Sequence, residues 1–131
     1  MPLMMAGQQS DEIRIEVQTA YLPDQSEPAA GRYLFSYTIS IHNDGALPAK
    51  LLTRHWLITD ANGKVQEVRG DGVVGEQPKI APGKLHRYSS GAVLETPVGT
   101  MEGSYGMVSD DGDQFEAVIP CFRLAVPGIL N

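Results

Sequence analysis

Residues 70–75, Gly70-Asp71-Gly72-Val73-Val74-Gly75, fit the spacing G-x-G-x-x-G. Glycines at that spacing let a backbone approach a pyrophosphate, and in a dinucleotide fold the helix N-terminus behind them supplies N–H donors. Half of that setting is present, because residues 65–68 (VQEV) read as a strand just upstream. The other half is missing. Residues 76–82 (EQPKIAP) are extended and Pro-rich and start no helix. Asp71 and Glu76 place negative charge where a phosphate would sit, and Arg69 and Lys79 offset it in part. Two readings stand side by side. One is a surface loop whose glycines permit unusual φ values. The other is an anion or pyrophosphate contact at Gly70, Gly72 and Gly75, with Arg69 beside them.

Other reactive residue types are scattered. His42, His55 and His86 lie far apart in predicted strands, with no His-x-x-x-His or Cys-x-x-Cys spacing to hold zinc. Asp110, Asp111 and Asp113 could gather a hard cation, but a calcium loop needs alternating ligands over about twelve residues and a closing Glu. A solvated hairpin tip accounts for them. Ser89-Ser90-Gly91 does not resemble the G-x-S-x-G elbow. Cys121 stands between Pro120 and Phe122 in an apolar stretch and is expected to be a small buried hydrophobe. His55 beside Trp56 is expected to be a structural group. No catalytic residue, no metal ligand and no cofactor is therefore assigned.

The elements that must carry these residues are strands. Ile13, Ile15 and Val17 alternate with Arg14, Glu16 and Gln18. Tyr33, Phe35, Tyr37, Ile39 and Ile41 repeat the pattern, interrupted on the polar face only by Leu34. In 51–59, Leu52, Trp56 and Ile58 share a parity, with Trp56 as the core anchor. Turn signals recur between these runs. They are 23–31 with two prolines, Asn43-Asp44-Gly45, Asn62-Gly63 as a type I′ hairpin, Ala81-Pro82-Gly83, and the hairpin at 110–113. No window has helical periodicity with a cap. The pattern predicts an all-β chain with about seven or eight strands and little or no helix. It is an antiparallel β-sandwich of the immunoglobulin or fibronectin type III kind.

Length and composition narrow the function classes. The chain has 131 residues, 42% hydrophobic and 20% charged, which is ordinary for a globular domain. Residues 1–10 read as a disordered tail and 11–131 as a single domain. A net charge of −6 argues against a nucleic-acid partner. No apolar run approaches the ~20 residues of a membrane span. The start of the chain lacks the basic and apolar segments of a secretory signal, and the single cysteine cannot staple the fold, so a cytoplasmic location is expected. The apolar end of the chain, 125–130 (AVPGIL), packs loosely or meets a partner.

Several stretches resemble the ApaG family: Tyr33–Asn43 (YLFSYTISIHN), 51–62 (LLTRHWLITDAN), 68–78 (VRGDGVVGEQP), 90–105 (SGAVLETPVGTMEGSY) and 119–126 (IPCFRLAV). The similarity covers nearly all of the chain from about Ile13 onward. It implies a fibronectin type III-like sandwich in a small cytoplasmic bacterial protein. It implies an association with cobalt and magnesium efflux and with the neighbourhood of a diadenosine tetraphosphate hydrolase. It implies pyrophosphate binding at Gly70, Gly72 and Gly75. In an F-box protein and a polymerase-interacting protein of eukaryotes, the same domain serves protein–protein interaction. The family brings no catalytic residues with it.

The leading expectation is a non-catalytic binding module with a protein partner not yet identified, its surface the 70–75 loop with Arg69 plus the apolar tail. Its link to cobalt and magnesium homeostasis is then indirect. Self-association through an edge strand is a further expectation. The alternative is nucleotide or pyrophosphate binding or hydrolysis at the 70–75 loop.

Overall fold

A computed structural model describes residues 12–129. The expected tail at 1–10 lies outside the described residues, as does Leu130. Eight strands follow in order: β1 (Ile13–Tyr21), β2 (Tyr33–Asn43), β3 (Ala49–Asp60), β4 (Val65–Asp71), β5 (Lys79–Ile80), β6 (Leu85–Leu94), β7 (Val98–Ser109) and β8 (Gln114–Ala125). They form two antiparallel sheets, β1-β2-β6 and β4-β3-β7-β8, with β5 paired to β3. This is the expected sandwich, with the strand order of a fibronectin type III module. The Pro-rich loop after β1 holds two 3₁₀ turns, Pro23–Gln25 and Pro28–Ala30, each opening on a proline. A fixed φ near −65° suits that position.

The core follows from the alternation. Phe35, Tyr37, Ile39 and Ile41 of β2 are buried, as are Ala92 and Leu94 of β6. Facing them are Trp56 and Ile58 of β3, Met101, Tyr105 and Met107 of β7, and Ala117, Ile119 and Leu124 of β8. Trp56 is 2% exposed. Three rings meet it at steep angles: Tyr37 at 5.4 Å, Tyr105 at 6.3 Å and Phe122 at 5.9 Å between centroids. Edge-to-face contacts of this kind add to the apolar burial.

Two β-bulges decide which residues face that core. In β3 the pairing with β7 slips between Leu51 and Thr53, so Leu52 is the extra residue. Before the bulge Ala49 and Leu51 are buried, and after it Trp56 and Ile58 are. The expectation that Leu52 shares the inward face with Trp56 is therefore corrected: Leu51 points in. In β8 the register shifts opposite Glu102, so that Pro120 and Cys121 together face one residue of β7. Proline, which has no N–H to donate, is at home there. Ile119 is buried before the bulge and Leu124 after it, while Cys121 is turned outward and exposed. The expected burial of Cys121 is corrected for that reason.

The β3–β4 hairpin also departs from expectation. Gly63 donates to the Asp60 carbonyl at 3.0 Å, and Asp60 donates to the Lys64 carbonyl at 3.0 Å. Among the loop residues 61–63 only Gly63 has a positive φ, +83°. A type I′ turn would need it at Asn62 too, so this is a three-residue loop with a glycine bulge. The Asp60 carboxylate selects that form by accepting from the Asn62 and Lys64 N–H groups.

Replacing Trp56 by Ala is expected to lower the unfolding free energy by about 3–5 kcal/mol in urea titration, the range for a large aromatic removed from a packed core. A loss below about 1 kcal/mol would contradict the burial described.

Burial pushes the Tyr37 phenol above its ordinary range, against the opposing pull of a Ser90 hydrogen bond and the Arg54 charge. Burial raises Tyr88 and Tyr105 further still, and their hydroxyls hydrogen-bond each other. A phenol that holds its proton more tightly when folded lends stability that is whole below about pH 10 and lost as pH climbs beyond it. The chain is expected to unfold cooperatively in alkali, with these phenolates appearing only as the far-ultraviolet dichroism is lost. Full ionisation of all five tyrosines with unchanged dichroism would contradict this.

Candidate functional site

The 70–75 segment is divided by the fold. Gly70 and Asp71 still belong to β4, and only Gly72 onward leaves the sheet. Gly70 pairs with Arg54 of β3. A Cβ on Gly70 would lie 2.8 Å from the Arg54 guanidinium, so the missing side chain is what lets Arg54 lie across the strand. Arg54 Nη1 donates to the Asp71 carbonyl at 2.9 Å and the Gly72 carbonyl at 3.1 Å. The Gly72 N–H donates to the Leu52 carbonyl at 2.8 Å, which ties the loop to the β3 bulge.

Beyond Gly72 the chain reverses tightly. Val73 donates to the Glu76 carbonyl at 2.8 Å and Glu76 to the Val73 carbonyl at 3.0 Å. Between them Val74 has φ +47° and Gly75 φ +78°. Consecutive positive φ values are the mark of a type I′ turn. Glycine accepts that conformation readily. A β-branched valine does not, and is an outlier there. Val73 is buried at 1% exposure and anchors the turn, while Val74 stands out at 63%.

Strand alternation separates Arg69 from Gly70. Arg69 pairs with His55 on the outer face, where its Nη2 donates to Glu67 at 2.9 Å. His55 Nε2 meets the same carboxylate oxygen at 2.7 Å. These partners hold the Glu67 carboxyl below its usual range, the His55 hydrogen bond foremost. On the inner face, the cation within the loop's reach is Arg54.

Arg54 borders a cleft of about 250 Å³. The first sheet contributes Tyr37, Tyr88 and Ser90, the second contributes Trp56, and Val73, Val74 and Gly75 close it. Tyr37 is bonded to Ser90, and Tyr88 to Tyr105 below. Arg54 is half-buried. Among the described residues no carboxylate lies within ion-pair distance of it. The other pairs are local: Arg14 with Asp44, Lys64 with Glu95, Arg69 with Glu67, and Lys79 with Asp110. Chemically the cleft offers one guanidinium, several hydroxyls and an aromatic wall.

The remaining candidates are accounted for locally. His42 Nε2 meets Glu16 at 2.7 Å, and His86 stacks on Tyr88. Asp111 accepts from the Ser109 hydroxyl and the Asp113 N–H, which keeps its carboxyl below the usual range. Among the described residues no three of His, Cys, Asp or Glu come together as a metal cluster. Sequence reasoning assigns none of Arg54, Tyr37, Tyr88 and Ser90 to a site: Tyr37 reads as an inward strand residue and Ser90 as a hydroxyl outside any nucleophile elbow. A signal for Arg54 existed: it precedes Trp56 by two and must share its face.

The chain matches the ApaG domain family over residues 23–109. The ApaG protein of Ectopseudomonas mendocina is 61% identical over 120 residues, covering 92% of this chain and 95% of that one. An X-ray structure of a structural-genomics target is 58% identical with a TM-score of 0.88, over 92% of each chain. A Bordetella pertussis structure named as an ApaA protein is 48% identical with a TM-score of 0.87, over 89% of this chain and 95% of that one. With most of its length matched by the family and by relatives of this similarity, the chain belongs to the ApaG family.

Proposed function

We propose that this chain is a non-catalytic binding module that recognises a protein partner through the 70–75 turn and the cleft behind it. The observation that carries the reading is Val74. A β-branched residue held at φ +47° costs roughly 1–3 kcal/mol of backbone strain. The turn nevertheless presents this apolar side chain to solvent at 63% exposure. Strain of that kind concentrates at sites of recognition or chemistry, and among the described residues no nucleophile–base pair adjoins this one. The cobalt and magnesium connection is then indirect, exerted through the partner, and the setting is the cytoplasm.

Pyrophosphate binding or hydrolysis at Gly70, Gly72 and Gly75, with Arg69, is the second reading. Arg54, which meets no carboxylate among the described residues, favours an anion nearby. The loop's amides favour it less, since the N–H groups of Gly72, Val73 and Glu76 are bonded within the protein. Titration with diadenosine tetraphosphate, followed by amide shifts, separates the two. Saturable shifts centred on Gly70 to Gly75 would support the second.

A photo-cross-linking residue placed at Val74 is expected to give adducts of discrete mass in cells. The same residue at Val118, an exposed valine on β8, is expected to give none. Adducts at neither position, or equally at both, would contradict the module reading.

A further inference from the structure

Arg54 sits where strand parity puts it, inward and half-buried, yet its charge meets no carboxylate among the described residues. Its Nη1 serves the Asp71 and Gly72 carbonyls. Among the described residues no hydrogen bond engages Nε or Nη2, which carry three of the five guanidinium N–H donors. In a chain of net charge −6, such a cation stands out. Elsewhere on the molecule Arg14, Lys64, Arg69 and Lys79 each have an acidic neighbour, and Arg32, Lys50, Lys84 and Arg87, which meet no carboxylate among the described residues, are all exposed, whereas Arg54 is half-buried.

We propose that the cleft receives one carboxylate, the side chain of an Asp or Glu carried by the protein partner, with Arg54 as the ion-pairing group. This rests on the binding-module reading above. Size favours a side chain: about 250 Å³ lies below the range of pockets that enclose whole small molecules. Charge favours a single anion. One guanidinium balances one carboxylate, and a planar fork matches it with two parallel bonds. A phosphoryl group or pyrophosphate would need a second cation. Arg69 is held by Glu67 on the other face, and Lys79 by Asp110. The hydroxyls of Tyr37 and Ser90 lie in the same cleft, and since one donates to the other, the pair has one proton left to donate to a carboxylate oxygen. Trp56 and Val73 supply an apolar wall for the methylene stem, and Val74 beside the mouth supplies apolar contact for flanking residues.

The test uses the full chain and three probes at fixed ionic strength: N-acetyl-glutamate N-methylamide, its neutral glutamine analogue, and inorganic phosphate. The glutamate probe is expected to shift the Arg54 Nε–H and the Val74 and Gly75 amide resonances saturably. The glutamine analogue is expected to bind at least tenfold more weakly. Arg54→Gln is expected to abolish the response. Ser90→Ala, which leaves the loop contacts of Arg54 in place, is expected to weaken it several-fold. At saturation the glutamate probe is expected to suppress the cross-link formed from Val74. Equal shifts with the glutamine analogue, tenfold tighter binding of phosphate, or a Val74 cross-link undiminished by saturating glutamate probe would each overturn the proposal. In the last case the cross-link itself would leave the module reading standing. Absence of any cross-link, with the carboxylate response intact, would overturn the module reading and the partner as source.

Discussion

Trp56 pins the two sheets together. Its indole is ringed by Tyr37 from one sheet and by Tyr105 and Phe122 from the other, so the residue that fills the core also fixes the rotation of β3 about its own axis. Side chains in a strand alternate, and an inward Trp56 forces Arg54 inward as well. A cation is thereby placed at the mouth of an apolar core. The fold accommodates it with two backbone carbonyls from the loop and the bare Cα of Gly70. Burying a charge without an opposing one is unfavourable unless hydrogen bonds or solvent compensate. The half-exposed cleft is the form that compromise takes.

Much of the architecture was legible because the physics behind it is local. Alternation in Tyr33–Asn43 gave β2, and the turn residues at 81–83 and 110–113 marked reversals that the fold contains. What was not legible were the two places where one residue is added to a strand. A bulge at Leu52 inverts the parity upstream of it, and a bulge at Pro120 and Cys121 inverts it in β8. An apolar residue beside a bulge reads as buried and ends up in solvent, which is the history of Cys121. Bulges are set by pairing with a neighbouring strand, and a single strand's pattern does not contain that information.

The site was legible in outline and misread in detail. The glycines do mark an unusual backbone, but they belong to three different settings. Gly70 clears room for Arg54, Gly72 turns the chain out of the sheet, and Gly75 completes a tight reversal with Val74. The type I′ geometry expected at Asn62-Gly63 is found at Val74-Gly75 instead, where side-chain preference opposes it. A Cβ-branched residue forced into that conformation is a local conflict that the surrounding contacts must overcome, and Val73 sealed in the core together with the paired Val73 and Glu76 bonds provides the means.

The orientation of Arg54 carries the whole account of the site, and nuclear Overhauser contacts report it directly. The δ and ε protons of Arg54 should show cross-peaks to the α protons of Gly70, where the Nη1 bonds to the Asp71 and Gly72 carbonyls hold the side chain across the strand. No contact between Arg54 and Gly70 would place the guanidinium in solvent and contradict the account.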